Sequence, residues 1–247
     1  MSTSCNSPYY TRVLLKLSGE SLMGKKKSGI DPQTLGDIAF EIHSTRKLGT
    51  QIAIVVGGGN IFRGIKSSEY NIGRVTSDYM GMLATVINAL ALKEALNSHG
   101  SKTIAMSALN IDKVVEPYNR EKALEHINEG KIVIFAGGTG NPYFTTDTAA
   151  TLRAVETNAQ VILKASHIDG VYDQDPLKQP DAKLFEKISF EQVLTNKLGV
   201  IDLTAISMAM EHRIPIIVFN VAKKGNIERI VSGHKVGTLI TGASNDR

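Results

Sequence analysis

Two lysines interrupt apolar runs of this 247-residue chain: Lys16 within Val13–Leu17 and Lys164 at the end of Val161–Lys164. An ammonium group is costly to bury unless it is paired or meets an anion. In Lys16-Leu17-Ser18-Gly19 the glycine allows close backbone approach, so an anion site is the better reading than a lysine snorkelling at a strand edge. Gly57-Gly58-Gly59-Asn60-Ile61-Phe62-Arg63-Gly64 follows another apolar run. Free amides in such a loop cradle a phosphate, and Arg63 supplies a bidentate clamp. Gly137-Gly138-Thr139-Gly140-Asn141-Pro142-Tyr143-Phe144-Thr145-Thr146-Asp147 leads into a helix that Asp147 or the preceding threonines would cap. Hydroxyls at a helix N-terminus suit an anion. The loop after Lys164 runs through Ser166, His167 and Asp169-Gly170 to Tyr172, Asp173 and Asp175.

Each loop alone could be an ordinary connection. Together, two strand lysines, an arginine, three glycine-rich strand ends and an aspartate at a helix start suit phosphoryl transfer, where positioning and charge neutralisation dominate. Walker A does not describe them. Gly19 to Lys25 matches seven positions, but Lys26 stands where Ser or Thr must hold magnesium, and in Gly59 to Gly64 Ile65 intrudes before Lys66. The Gly137 loop also lacks the third glycine of a dinucleotide fingerprint.

The elements that must carry these loops read as alternating strands and helices. Val13–Leu17, Ile52–Val56, Thr103–Met106, Ile132–Phe135, Val161–Lys164 and Ile216–Phe219 are continuous apolar runs, as in strands of a parallel sheet buried on both faces. Asp31-Pro32 starts a helix that Gly49 ends. Asp78 to Asn97 is apolar nearly all round and predicts a helix in the core or at a subunit contact. Asp202 to His212 and Asn226 to Ser232 are further helices, with Asp202 and Asn226 as caps. The fold class is α/β: a three-layer α/β/α sandwich on a mainly parallel sheet. With no repeat or linker, residues 10–242 read as one domain, with 1–9 and 243–247 as flexible termini.

Lys plus Arg exceeds Asp plus Glu by 28 − 24 = 4, and the pI is near 9.0. No basic stripe with interleaved aromatics accompanies that excess, and Trp is absent, which argues against nucleic acid as a partner. Cys5 is the sole cysteine, so no intrachain disulfide forms, and no Cys/His spacing suits zinc. The apolar stretch Met82–Leu92 falls short of the roughly 20 residues of a membrane span. The leader Met1–Pro8 lacks the basic start and apolar core of a secretory signal, so a cytoplasmic location without a membrane partner is expected.

The segments Leu15–Glu20, Val56–Gly64, Asp78–Thr85 and Gly138–Asp147 resemble those of the bacterial uridylate (UMP) kinases, within the amino acid kinase family, in register from about Tyr10 to Thr241. The resemblance implies the amino acid kinase (carbamate kinase-like) fold and the reaction ATP + UMP → ADP + UDP, with Mg2+ accompanying ATP, in pyrimidine nucleotide biosynthesis. It implies that Lys16, Leu17, Ser18, Gly19, Gly59 and Arg63 meet the ATP phosphates, and that Ser166, Tyr172 and Asp175 line the adenosine site. It implies that Gly58, Asp78, Thr139, Gly140, Asn141, Pro142, Tyr143, Phe144, Thr145 and Thr146 hold UMP, with Asp78 on the ribose hydroxyls. Lys16, Arg63 and Lys164 would carry the catalytic charge, and Asp147 would orient the lysines. No residue is assigned to a metal. The resemblance further implies a homohexamer regulated by GTP and UTP, with Gly24, Lys25, Lys26, Lys27, Ser28 and Gly29 as the effector segment. Three adjacent lysines there, and Ser166-His167 in place of the usual Thr-Lys, depart from the family pattern. Two other readings stand beside this one: a relative that phosphorylates a carboxylate or carbamate, and a non-catalytic nucleotide-binding protein on the same fold.

Overall fold

The computed structural model describes residues 7–63, 71–176, 178–196 and 198–242. Gly64 and the terminal stretches 1–6 and 243–247 lie outside the described residues. Nine strands form one sheet: β1 (Arg12–Leu17), β2 (Gln51–Val56), β3 (Thr103–Ser107), β4 (Glu116–Pro117), β5 (Ile132–Ala136), β6 (Val161–Ser166), β7 (Lys187–Ser189), β8 (Ile216–Asn220) and β9 (Thr238–Thr241). Their order is β4-β3-β5-β2-β1-β6-β8-β9-β7. Every pair is parallel except β8 with β9. The six strands read from apolar runs are all present. The short edge strands β4 and β7, and β9 beside β7, carry two to four residues each, too few to show a period.

Among the described residues seven α-helices accompany them: α1 (Pro32–Lys47), α2 (Arg74–Ser98), α3 (Arg120–Asn128), α4 (Thr146–Glu156), α5 (Phe190–Thr195), α6 (Leu203–Glu211) and α7 (Asn226–Val231). Alternation along the strands sorts them into two layers. Val13, Leu15 and Leu17 face a core shared with α1, α2 and α7. Leu14, Ala53, Val55 and Ile162 face the opposite core, with α3, α4, α5 and α6. Lys16 and Lys164 share the parity of Leu14 and Ile162, so both project toward the α4 layer.

Two helix starts differ from the sequence expectation. The Asp78 helix begins a turn earlier, at Arg74. At α7 the cap is Gly225, in the left-handed region at φ 82°, and not Asn226, whose side chain donates to the Asn220 carbonyl at 2.8 Å. Glu41 of α1 substitutes for the missing cap by accepting the Ile227 amide at 2.9 Å.

By length and composition α2 could cross a membrane. Here Val86, Ala89, Leu92 and Leu96 lie in the core beneath the sheet. Further along α4, Arg153 is 4% exposed and pairs with Glu156 at 2.5 Å. Its guanidinium sits 3.5 Å from the centroid of Tyr118. Tyr118 in turn donates to Glu156 at 2.5 Å. Burial, then this bond to Glu156, pushes the Tyr118 phenol well above its ordinary value.

Candidate active site

In the β1–β6 ladder Lys16 is the register partner of Lys164, so adjacent strands of a parallel pair present two ammonium groups side by side. What makes this tolerable is the first turn of α4. Lys16 Nζ lies 2.7 Å from Asp147 Oδ1 and Lys164 Nζ lies 2.5 Å from Asp147 Oδ2. One carboxylate therefore bridges both cations, with side-chain exposures of only 11–15%. Burial alone would raise the Asp147 carboxyl, but the charges and hydrogen bonds of the two lysines outweigh it and hold the group below its usual range. Burial, then the charge of Lys16, pushes Lys164 down to about 8 against the pull of Asp147 and Asp202.

That value gives a pH test. Lys164 stabilises anionic oxygen only when protonated, and kcat/KM follows ionisations of the free enzyme. We expect kcat/KM to fall along a limb near pH 8, read from a pH–rate profile. A flat profile to pH 9.5 would remove Lys164 from the charge-bearing set.

Thr145 is the residue that caps α4: its hydroxyl accepts the amides of Asp147 and Thr148. That cap is itself held by Asp202, which accepts from Thr145 Oγ1 and, at 3.0 Å, from Thr148 Oγ1. Asp202 also caps α6 through the Ala205 amide at 2.8 Å. The sequence marks Asp202 only as a helix cap; its nearness to Lys164 arises where α4 and α6 pack together.

The glycines are required by packing as well as by ligand approach. A Cβ on Gly58 would lie 2.7 Å from the Gly81 carbonyl and 2.9 Å from Ala84 Cβ. One on Gly19 would lie 2.5 Å from Asn60 Oδ1 and 2.7 Å from the Gly59 amide. The loops after β1 and β2 thus touch through hydrogen-only positions. Gly59 differs: its nearest neighbours are the Glu20 side chain at 3.9–4.0 Å, which leaves open space over its backbone.

A cleft of about 160 Å³ opens between these loops and α2, and Gly58, Asp78, Thr139, Phe144, Thr145 and Thr146 line it. Six of the ten candidate acceptor residues therefore line one cleft. Gly140, Asn141, Pro142 and Tyr143 continue the same loop beyond the lining. Asp78 is already engaged: its carboxylate accepts the Tyr143 amide at 2.7 Å and Arg74 Nε at 2.8 Å. Tyr143 has φ 75°, and Arg74 lies over its ring. Asp78 thereby ties the Gly137–Asp147 loop to α2, and Arg74, one helical turn before it, is a partner the sequence analysis missed.

The candidate donor residues are more dispersed. Leu17 is wholly buried, so only its backbone is available to a ligand. Ser18 caps the short turn Gly19–Leu22 by accepting the Glu20 amide. Arg63 folds back on its own loop, with Nε donating to Gly59 O at 3.1 Å and its guanidinium 2.7 Å from Glu20. Ser166 ends β6 and accepts the Ile168 amide at 3.3 Å. Tyr172 bridges to Leu184. The Asp175 carbonyl accepts the Lys178 and Gln179 amides at 3.0 and 2.9 Å. A second cavity of about 320 Å³ lies between Glu20, Ser21 and Gly24 on one side and His167, Val221 and Lys224 on the other. Its volume is within the range of small-molecule sites, about 300–1,000 Å³. Lys25 and Lys27 form no ion pair among the described residues, whereas Lys26 reaches the Ile30 carbonyl at 3.1 Å.

No group of three or more His, Cys, Asp or Glu side chains among the described residues forms a metal cage. The carboxylate at the centre, Asp147, is spent on two lysines. A magnesium ion arriving with a nucleotide would be held through the oxygens of its phosphates.

The arrangement has recognised counterparts. A sequence model of the amino acid kinase family matches residues 11–220. The structure is similar to UMP kinase from Bacillus anthracis, with TM-score 0.93 and 40% identity over 95% of this chain and 97% of that one. It is also similar to UMP kinase from Ureaplasma parvum, with TM-score 0.89 and 39% identity over 94% and 99%. Against uridylate kinase from Archaeoglobus fulgidus the values are 0.74 and 29%, over 93% and 99%. With the lysine pair, its bridging carboxylate and the glycine-rich strand ends held on a sheet of this order, the chain belongs to the amino acid kinase family.

Proposed function

We propose that this protein is a UMP kinase that transfers the γ-phosphoryl group of ATP to UMP, giving ADP and UDP. The observation that carries the reading is the Lys16–Asp147–Lys164 cluster beside the cleft lined by Gly58, Asp78, Thr139 and Thr145, in a chain 40% identical to a UMP kinase. The acceptor is a phosphate oxygen already anionic near neutral pH, so the reaction needs no strong general base. It needs cations between two mutually repelling phosphate groups. Lys16 and Lys164 meet the transferring phosphoryl group, and Asp147 aims both while opposing the loss of the Lys164 proton. Arg63 leaves Glu20 to clamp a phosphate, with its two forked N–H groups matching two oxygens. UMP occupies the cleft, with its phosphate toward Thr146 at the start of α4 and Asp78 toward the ribose. ATP lies across Ser18, Gly19 and Gly59, with its adenosine toward Ser166, Tyr172 and Asp175. Mg2+ bound to ATP adds charge neutralisation at the phosphates.

The same reading makes the enzyme a cytoplasmic step of pyrimidine nucleotide synthesis and a homohexamer responsive to GTP and UTP. The exposed stripe Val75, Tyr79, Leu83 and Ile87, at four-residue spacing along α2, supports a subunit contact there, and the residues 24–29 are the effector segment. The test is ADP release with UMP, CMP, carbamate and aspartate as acceptors. UMP-dependent turnover is expected. Activity with only a non-nucleotide acceptor would overturn the substrate, and binding of both nucleotides without turnover would make the protein a sensor.

A further inference from the structure

Asn60 and Asn88 face each other in the interior, at 2% and 0% exposure. Asn60 Nδ2 donates to Asn88 Oδ1 at 3.1 Å, and Asn88 Nδ2 donates to Asn60 Oδ1 at 2.7 Å. Each has one further donor. Asn88 spends its own on the Gly57 carbonyl at 2.7 Å, and Asn60 on the Gly29 carbonyl at 2.9 Å. The Gly29 amide returns to the Asn60 carbonyl at 2.7 Å. Asn60 Oδ1 also occupies the space that a Cβ on Gly19 would need. A closed amide pair therefore joins four segments: the Ser18–Gly19 turn, the triple-glycine loop, α2 and the basic loop 24–29.

Buried side-chain amides are costly unless every donor is satisfied. A helix merely packing on a loop would do as well with leucine. Here all four N–H groups are spent, two on the partner amide and two on the Gly57 and Gly29 carbonyls. Three successive glycines have more backbone freedom than other residues, so a phosphate cradle built from them needs an outside fixture. We propose that Asn60 and Asn88 are positioning residues that fix the phosphate cradle and yoke it to the basic loop 24–29, so that nucleotide in the cradle orders that loop. This rests on the nucleotide-kinase reading for the ligand, but not for the fixture itself.

The test combines hydrogen exchange with steady-state kinetics. In the wild type, ATP with UMP is expected to slow amide exchange over residues 24–29 as well as 57–60. Asn88→Ser is expected to speed exchange at Gly57 and Gly29 without ligand. It removes the bond to Gly57 and both bonds to Asn60, and is expected to raise KM for both nucleotides about tenfold, with kcat changed less. Asn60→Ser cuts the Gly29 bond while leaving Asn88 on Gly57, so its faster exchange is expected chiefly over 24–29. It serves alone if Asn88→Ser does not fold. Variants with lowered melting temperature but wild-type KM and exchange would reduce the pair to packing and overturn the proposal. So would a wild-type loop 24–29 indifferent to nucleotide that the protein is shown to bind. Failure of the kinase reading is separate: it appears as no UMP-dependent ADP release, while ligand-free exchange still tests the fixture.

Discussion

Asp147→Asn is expected to lower kcat for UMP-dependent ADP release by about 10²–10³-fold, the range seen when one preorganised electrostatic group is removed. The asparagine keeps the shape of the side chain and removes its charge. Lys16 and Lys164 are then register partners on adjacent strands with no anion between them. Lys164, already pushed down to about 8 by burial and by Lys16, loses the attraction that opposes that push. Its proton leaves at a lower pH, and the alkaline limb of kcat/KM moves to lower pH accordingly. The sign differs from that of a general base. Losing a base would remove the acid limb, whereas losing this carboxylate moves the alkaline one. Lys16→Ala is expected to give a loss of similar size with the Asp147–Lys164 contact retained. Steady-state rates across pH 6–9 check both variants, and turnover by Asp147→Asn within threefold of wild type would place the reacting phosphate elsewhere.

Arg153→Ala is expected to produce the largest loss of stability with little loss of turnover. Removing one partner of a buried pair strands the other, typically at about 3–5 kcal/mol. Here Glu156 is 24% exposed and water partly rescues it, which puts the expected loss near the lower figure. The ring of Tyr118 also loses the cation stacked on it, and the Glu156 carboxylate keeps only the phenol as partner. For a chain of this size about 3 kcal/mol corresponds to a fall in melting temperature of roughly 6–12 °C. Arg153 lies two turns from Asp147 on α4, and the Thr145 cap and Asp202 hold the start of that helix independently. Activity below the transition is therefore expected to stay near wild type. Thermal melts with rates at 25 °C separate the two effects, and a kcat loss beyond tenfold would show that the far end of α4 sets the geometry of its beginning.

The central strands were legible because they are buried on both faces and read as unbroken apolar runs. Lys16 and Lys164 stood out against that background by cost alone. Their juxtaposition was not legible, since register between strands separated by nearly 150 residues depends on the whole sheet. The same limit hid Asp202, whose local sequence announces only a helix start, and the Glu20–Arg63 and Arg74–Asp78 pairs, which look like ordinary surface charge. Asn88 did leave a signal, as a lone amide in the apolar run Met82–Leu92, but its partner Asn60 lay inside a loop read for its glycines and Arg63. Asn226 misled because a good capping residue stood one position too late, after a glycine that had already turned the chain.

The strand order places β1 between β2 and β6, so the earliest of the nine strands in sequence becomes the middle of the finished sheet. One edge of β1 can pair once residues 51–56 have emerged. The other waits for residues 161–166, on the order of ten seconds later at ordinary rates of translation. Through that interval an apolar edge is open to pairing with another nascent chain. A lysine set into an edge strand is among the means by which proteins discourage such pairing. Lys16 places such a charge on the waiting strand before Lys164 and Asp147 arrive to take it into the site.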